Sequence, residues 1–268
     1  MKEKIFNIWE PDGRVTLTVY APEGEAKPRP AVVVIPGGAY VAPSAREADP
    51  VALRFAEMGY VGCVMRNSTM YENFECCLGS PNRHTLFPEP LLEIGAAVLH
   101  LRRNAEQLGA DGRIALCGFS AGGHLAANYC NMWNDPKIFA PLGASAGELR
   151  PNADILCYAA LMLREGVPGA MHRAVFGERE HYPQAELDGY NACLHVSRDT
   201  PPTFLWHTAD DRMVFVRSSY DMALALDEES IPYELHIFSS GPHAAALSPG
   251  LPAEPWPTLA DAFLRRVM

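Results

Sequence analysis

The sequence predicts an α/β protein in which a mostly parallel sheet carries helices on both faces. Three observations point there. Short apolar runs rich in β-branched residues alternate with segments of helical period, which is the pattern of repeated strand–helix–strand units. One such run, Ala31 to Ile35, is apolar at every position, as a strand covered on both faces must be. Turn residues such as Gly59 and Asp111-Gly112 separate the runs. Of 268 residues, 48% are hydrophobic and 20% charged, which supplies a sizeable core and excludes a disordered, collagen-like or fibrous chain. Lys and Arg number 22 against 32 Asp and Glu, a formal charge of −10 with a pI near 5.4. Such a chain repels phosphate backbones and anionic membrane surfaces, so nucleic acid and membrane are not expected partners and a small molecule is. There is no repeat or low-complexity tract, and Pro and Gly are spread along the chain, so one domain over residues 1–268 is expected.

In chain order, Val15 to Tyr20 alternates Val, Leu, Val with Thr, Thr, Tyr and reads as a strand, followed by the strand Ala31 to Ile35. Pro50 to Met58 places Val51, Leu53, Phe55 and Ala56 for a helix that ends near Gly59. Tyr60 to Met65 is the next buried strand. Pro90 suits the first turn of a long helix carrying Leu91, Leu92, Ile94, Val98 and Leu101, with Arg102 and Arg103 near its end. Asp111-Gly112 turns the chain into a strand, Ile114 to Cys117, and a helix bearing Leu125, Ala126, Ala127 and Tyr129 follows. The alternation continues with strands Asp154 to Ala159 and Thr203 to His207, a helix around Ser218 to Leu226, the strand Tyr233 to Phe238 and a last helix from Thr258. Two regions interrupt it, about 67–89 and about 131–200, the latter chiefly Asn131 to Pro151 and Met162 to Thr200. Their length and their Pro, Asn and Gly content mark cap-like insertions over the carboxyl ends of the strands, where ligands bind such sheets.

The first ten residues carry charges with no apolar stretch behind them, so they do not read as a signal peptide. No segment approaches the roughly 18 uninterrupted apolar residues of a membrane span. The seven cysteines are an odd number, and Cys63, Cys117 and Cys157 lie in strand-like runs, so reduced thiols in a cytoplasmic protein are expected. Cys76-Cys77 lacks the spacing of a metal or redox motif.

The chemistry centres on Gly118-Phe119-Ser120-Ala121-Gly122-Gly123. Standing between a strand and a helix, this G-x-S-x-G is a nucleophile elbow, a sharp turn that lifts the Ser120 hydroxyl above the sheet. A serine hydroxyl is a poor nucleophile at neutral pH and needs a base oriented by a carboxylate. In this architecture acid and histidine follow the serine in that order. Of the late histidines, His236 is pinned within a strand, and His207 closes a strand before the acidic loop; His195 precedes both. His243, in Ser239-Ser240-Gly241-Pro242-His243, sits just past the last strand and is the expected base. His124, four residues into the helix after Ser120, reads as structural. Asp211 is the expected acid, with Asp210 held in reserve, because both follow the strand that ends at His207. A tetrahedral intermediate needs N–H donors: Ala121 supplies one, and Gly38 and Ala39 of Pro36-Gly37-Gly38-Ala39-Tyr40 supply the other. Tyr40, Met162 and Met213 are candidate pocket walls.

The set Pro-Gly-Gly-Ala-Tyr, Ser44-Ala-Arg46-Glu47 with Pro50, Gly-Phe-Ser-Ala-Gly-Gly-His, Pro-Pro-Thr-Phe-Leu-Trp-His-Thr-Ala-Asp-Asp and Gly-Pro-His resembles the α/β-hydrolase family, in particular its acetylxylan-esterase-like or carboxylesterase-like branch. The resemblance runs from about residue 15 to 265. It implies the α/β-hydrolase fold with an eight-stranded, mostly parallel sheet, a Ser120–Asp211–His243 triad, no metal or organic cofactor, and hydrolysis of short acyl esters, above all acetyl on sugars. Pro36 stands where many lipolytic relatives have histidine, and Ala39 where a third glycine is common. Two other readings stay open: a serine peptidase or amidase of the same fold, and a non-catalytic ligand-binding member. A metal-dependent deacetylase would need a ligand cluster such as H-E-x-x-H, which none of the nine histidines forms.

Overall fold

The computed structural model describes residues 2–9, 13–21, 27–77, 79–166 and 169–268. Eight strands, β1 Lys2–Asn7, β2 Thr16–Ala21, β3 Arg29–Ile35, β4 Val61–Arg66, β5 Ala110–Phe119, β6 Ala153–Cys157, β7 Thr203–Thr208 and β8 Tyr233–Phe238, form one sheet in the order β1-β2-β4-β3-β5-β6-β7-β8. β2 pairs antiparallel with both β1 and β4, and every other pair is parallel. Five helices of nine or more residues pack on it: α1 Asp49–Glu57, α2 Glu89–Arg103, α3 Ala121–Met132, α4 Arg217–Glu228 and α5 Trp256–Val267. None is long and apolar enough to cross a membrane, a statement that covers the described residues.

The period of two along each strand splits the core into two layers. In β3, Ala31, Val33 and Ile35 face a cluster with Leu91, Ile94 and Val98 of α2, Leu125 and Tyr129 of α3, and Met222 and Leu226 of α4. Val32 and Val34 face the other side, against Val51 and Phe55 of α1 and Trp256 and Phe263 of α5. Pro50 and Pro90 lie in the first turn of α1 and α2, where a missing N–H costs no helical bond.

Several sequence expectations are corrected. β1 is absent from the sequence reading because its side chains are mostly exposed; an edge strand paired on one side has no apolar face to betray it. Asp111-Gly112 lies inside β5 rather than before it: Gly112 takes φ 87°, Asp111 accepts the Arg113 N–H at 2.9 Å, and the register against β3 shifts between Arg29 and Ala31, as at a bulge. β6 stops at Cys157, since Tyr158 turns to φ 38°. The region 131–200 is not one excursion. Asn131 and Met132 complete α3, and Ala153–Cys157 is a strand of the sheet.

The inserted segments join the site through backbone bonds. Met70 and Tyr71 donate N–H to the Tyr40 and Val41 carbonyls, each at 2.8 Å, and Phe87 donates to Val175 in the second insertion at 3.1 Å.

Candidate active site

Register brings the chemistry together. Ile35 at the end of β3 pairs with Gly118 of β5, which sets the loop 36–40 beside the elbow. Thr208 of β7 pairs with Phe238 of β8, which sets the two following loops, carrying Asp211 and His243, side by side.

Ser120 stands between β5 and α3 at φ 50°, ψ −116°, a conformation costly for a non-glycine residue and held by its surroundings. Its N–H donates to the Cys157 carbonyl at 3.0 Å, and its carbonyl accepts the N–H of Ala160 at 3.1 Å and of His124 at 3.0 Å. Space dictates the glycines around it. A Cβ on Gly118 would lie 2.5 Å from the Gly122 carbonyl oxygen, and one on Gly122 would lie 2.2 Å from that of Ile35.

The Ser120 Oγ is 2.8 Å from Nε2 of His243, whose Nδ1 is 2.7 Å from Oδ2 of Asp211. A carboxylate only accepts, so Nδ1 carries the imidazole proton and Nε2 is left to accept from the hydroxyl. Asp211, 5% exposed, also accepts the Met213 and Val214 N–H groups on Oδ1, at 2.8 and 3.1 Å. His207, fully buried, brings Nε2 to 3.2 Å from Oδ2 of Asp211 and 2.9 Å from the Val214 carbonyl, while its Nδ1 meets the Ser219 hydroxyl at 2.8 Å. Burial works against an ionised Asp211. The bonds from His207, His243 and the two backbone amides outweigh it and hold the carboxyl well below the usual carboxylate range.

Asp210 is exposed and accepts the Gly241 N–H at 2.8 Å, so it supports the His243 loop from outside the hydrogen-bonded series. His195 bonds the Asp188 carbonyl at 2.6 Å, and His236 lies beside Glu234 and the Phe204 ring.

Gly38 at φ 120° and Ala39 at φ 55° turn the loop after β3, and the N–H groups of Gly38, Ala39 and Ala121 have no protein acceptor among the described residues. Ala121 opens α3, where the helix start leaves N–H groups free and favours negative charge. Gly37 packs so closely that a Cβ on it would lie 2.9 Å from the Ser120 Cβ. Met162 and Met213 line a groove of about 760 Å³ together with Ala39 and Ala160, and Met213, 74% exposed, also borders a second cavity of about 730 Å³ that includes His243.

Tyr40 is not a pocket wall. It is 3% exposed beneath the elbow, its hydroxyl is 2.9 Å from Nδ1 of His124, and its ring meets Phe87 and His124 edge-on. Burial pushes His124 down to about 4, which keeps it neutral in this apolar setting. Sequence reasoning missed three residues. His207 had been set aside as a strand end, whereas Glu47 and Tyr158, buried between the loop after β3 and the His243 loop, had drawn no functional reading. Glu47 stands in the Ser44-Ala-Arg46-Glu47 stretch that carries the resemblance, but nothing in composition or period gives it a role; its burial and its two donors come from the fold.

Residues 17–146 match the BD-FAE family, and residues 94–264 match the prolyl oligopeptidase family. The chain belongs to the prolyl oligopeptidase family of α/β-hydrolases. Within solved structures, this family member is similar to the acetyl ester-xyloside bifunctional hydrolase of Caldicellulosiruptor lactoaceticus, at 28% identity and TM-score 0.80 over 98% of this chain and 96% of that one. It is similar as well to the carboxylesterase Cest-2923 of Lactobacillus plantarum WCFS1, at 25% identity and TM-score 0.82 over 99% and 98%. Curated relatives include endo-1,4-beta-xylanase B of Butyrivibrio fibrisolvens, 29% identical over 82% of this chain and 33% of that protein. Another is the acetylxylan esterase of Xylanibacter ruminicola, 25% identical over 87% of this chain and 44% of that protein. The chain spans between 33% and 59% of the length of the curated relatives it matches.

Proposed function

We propose that this family member is a serine esterase that hydrolyses short-chain acyl esters, with acetyl esters of sugars or xylo-oligosaccharides as the favoured substrates. The observation that carries the reading is the hydrogen-bonded series Ser120–His243–Asp211 on a strand–turn–helix elbow. Ser120 Oγ attacks the ester carbonyl carbon while its proton passes to Nε2 of His243. The carbonyl oxygen becomes an alkoxide, accepted by N–H groups of Ala121 and of Gly38 or Ala39; loss of one such donor costs about 10²–10³ in turnover. On collapse, the C–O bond to the alcohol breaks and His243 returns the proton to the leaving oxygen, which leaves an acyl-Ser120. Water, deprotonated by the same nitrogen, attacks the acyl carbon, and Ser120 leaves with the proton. Asp211 holds the tautomer and offsets the imidazolium charge. The reaction so written uses no metal or organic cofactor.

The sugar-ester preference draws support from the relatives named for acetylxylan and xyloside chemistry. Seven unpaired cysteines support a reducing, cytoplasmic setting. One continuous sheet supports a single domain.

The test is hydrolysis of p-nitrophenyl acetate, butyrate and octanoate, of acetylated xylo-oligosaccharide and of a peptide anilide, by the protein beside Ser120→Ala. Acetyl substrates should be cleaved best, and the variant should lose on the order of 10⁴-fold or more. Ester hydrolysis that survives in the variant sinks the serine mechanism; serine-dependent cleavage of the anilide alone moves the assignment to an amidase or peptidase.

A further inference from the structure

We infer that Glu47 and Tyr158 are positioning residues that tie the N–H donor loop after β3 to the loop carrying His243, so that oxyanion donors and base are held in one frame. The inference deepens the esterase reading above and rests on it for its kinetic consequence.

Four hydrogen bonds make the brace. Glu47 is 1% exposed and accepts twice: Oε2 takes the Gly37 N–H at 2.9 Å, and Oε1 takes the Tyr158 hydroxyl at 2.7 Å. The Tyr158 oxygen in turn accepts the Ala246 N–H at 3.0 Å, and the Ala246 carbonyl accepts the indole N–H of Trp256 in α5 at 2.9 Å. Gly37 touches Ser120 from one side. From the other, the Tyr158 ring meets the His243 imidazole edge-on, with centroids 5.0 Å apart. The brace therefore spans the nucleophile, from donor loop to base.

Backbone strain lies on the segments that the brace joins. Ala39 and Tyr40 in the first loop, Tyr158 at the end of β6, and Ala244 and Ala246 in the third all take positive φ without being glycine. Such conformations persist only where the surroundings over-determine them. Tyr158 is itself pinned by its N–H to the Trp206 carbonyl at 2.8 Å. A buried carboxylate is costly unless its oxygens are satisfied, and this one is satisfied by one donor from each side of the site. Removing it frees both loops at once, whereas a purely structural carboxylate would lower stability without moving the donors relative to the base.

The experiment uses the full chain with Tyr158→Phe, Glu47→Ala and Glu47→Gln. Leu226→Ala, a core truncation in α4, serves as a stability control. All are assayed with p-nitrophenyl acetate well below each melting temperature, beside amide hydrogen exchange of residues 37–39 and 244–246. Tyr158→Phe and Glu47→Ala should lower kcat by about 10- to 100-fold with KM changed by less than about threefold, since the contribution lies in the transition state. Glu47→Gln, which keeps one carbonyl acceptor, should recover part of the loss. Exchange should quicken in both loops together. A kcat for folded Tyr158→Phe and Glu47→Ala no lower than that of Leu226→Ala, or exchange that quickens in one loop alone, overturns the brace. Ester hydrolysis that persists in Ser120→Ala overturns the nucleophile assignment instead, while loop exchange, which needs no turnover, still decides whether the two loops are tied.

Discussion

Asp211 and Asp210 are neighbours in sequence, yet one faces His243 and the other the solvent, because the turn after β7 spends the Asp211 carboxylate on its own Met213 and Val214 amides. Asp211→Asn is expected to lower kcat by about 10³–10⁴ by removing the acceptor that sets the imidazole tautomer. Asp210→Asn, which touches the loop through a single exposed bond, should stay within about tenfold of wild type, an order set by the modest worth of such bonds. The lowered Asp211 carboxyl also fixes a sign for stability against pH. With the folded value below the unfolded one, near 3.9, its contribution is complete above about pH 4 and is lost as the pH falls further. Melting of wild type and Asp211→Asn between pH 3 and 7 checks this: the gap should be full above about pH 4 and begin to narrow as the pH falls toward 3. Most of these residues were legible in the sequence because motif and chain order restrict them. The burial of Tyr40 was not, since the Phe87 and His124 rings that cover it lie 47 and 84 positions further along the chain.

Elements were legible in proportion to how much apolar surface they bury. β3, β4 and β7 are largely buried and show it as the runs 31–35, 61–65 and 204–206, which carry no charged or polar side chain, whereas β1, with its Lys-Glu-Lys start, gains its place from backbone pairing to β2 that any side chains can make. A close joint between elements is α3 against the end of β3, where Gly122 lies under the Ile35 and Pro36 carbonyls. Gly122→Ala should cost about 1–3 kcal/mol or more by overpacking, seen as a lower melting temperature. Because Pro36 leads into the loop holding Gly38 and Ala39, the displacement should also reduce kcat with little change in KM. A variant that melts lower but turns over at the wild-type rate would show that β3 can yield without moving the donors.

Across the whole molecule, stability is coupled to buried acids remote from the site. Burial pushes Asp154, enclosed in the sheet on β6, up to about 7, and pushes Glu93 on α2 up to about 7 despite its bonds from Ser68. Here the folded value lies above the unfolded one, so stability is complete below about pH 4 and is lost as the pH rises through about 7. Asp154→Asn should therefore gain stability relative to wild type between pH 5 and 8, measured as the difference in melting temperature; a difference that is flat with pH would show that the Asp154 carboxyl is ionised alike in the folded and unfolded protein. Strand–helix alternation, the elbow, the order of serine, acid and histidine and the Pro-Gly-Gly turn are all written in local pattern, because period, turn chemistry and chain order are properties of neighbouring residues. The choice between the two aspartates, the burial of Tyr40 and the linking of Glu47 to Tyr158 and Ala246 lay beyond any such pattern. Those contacts join residues up to 111 positions apart in sequence, and they exist only once the parallel register has laid the strand ends side by side.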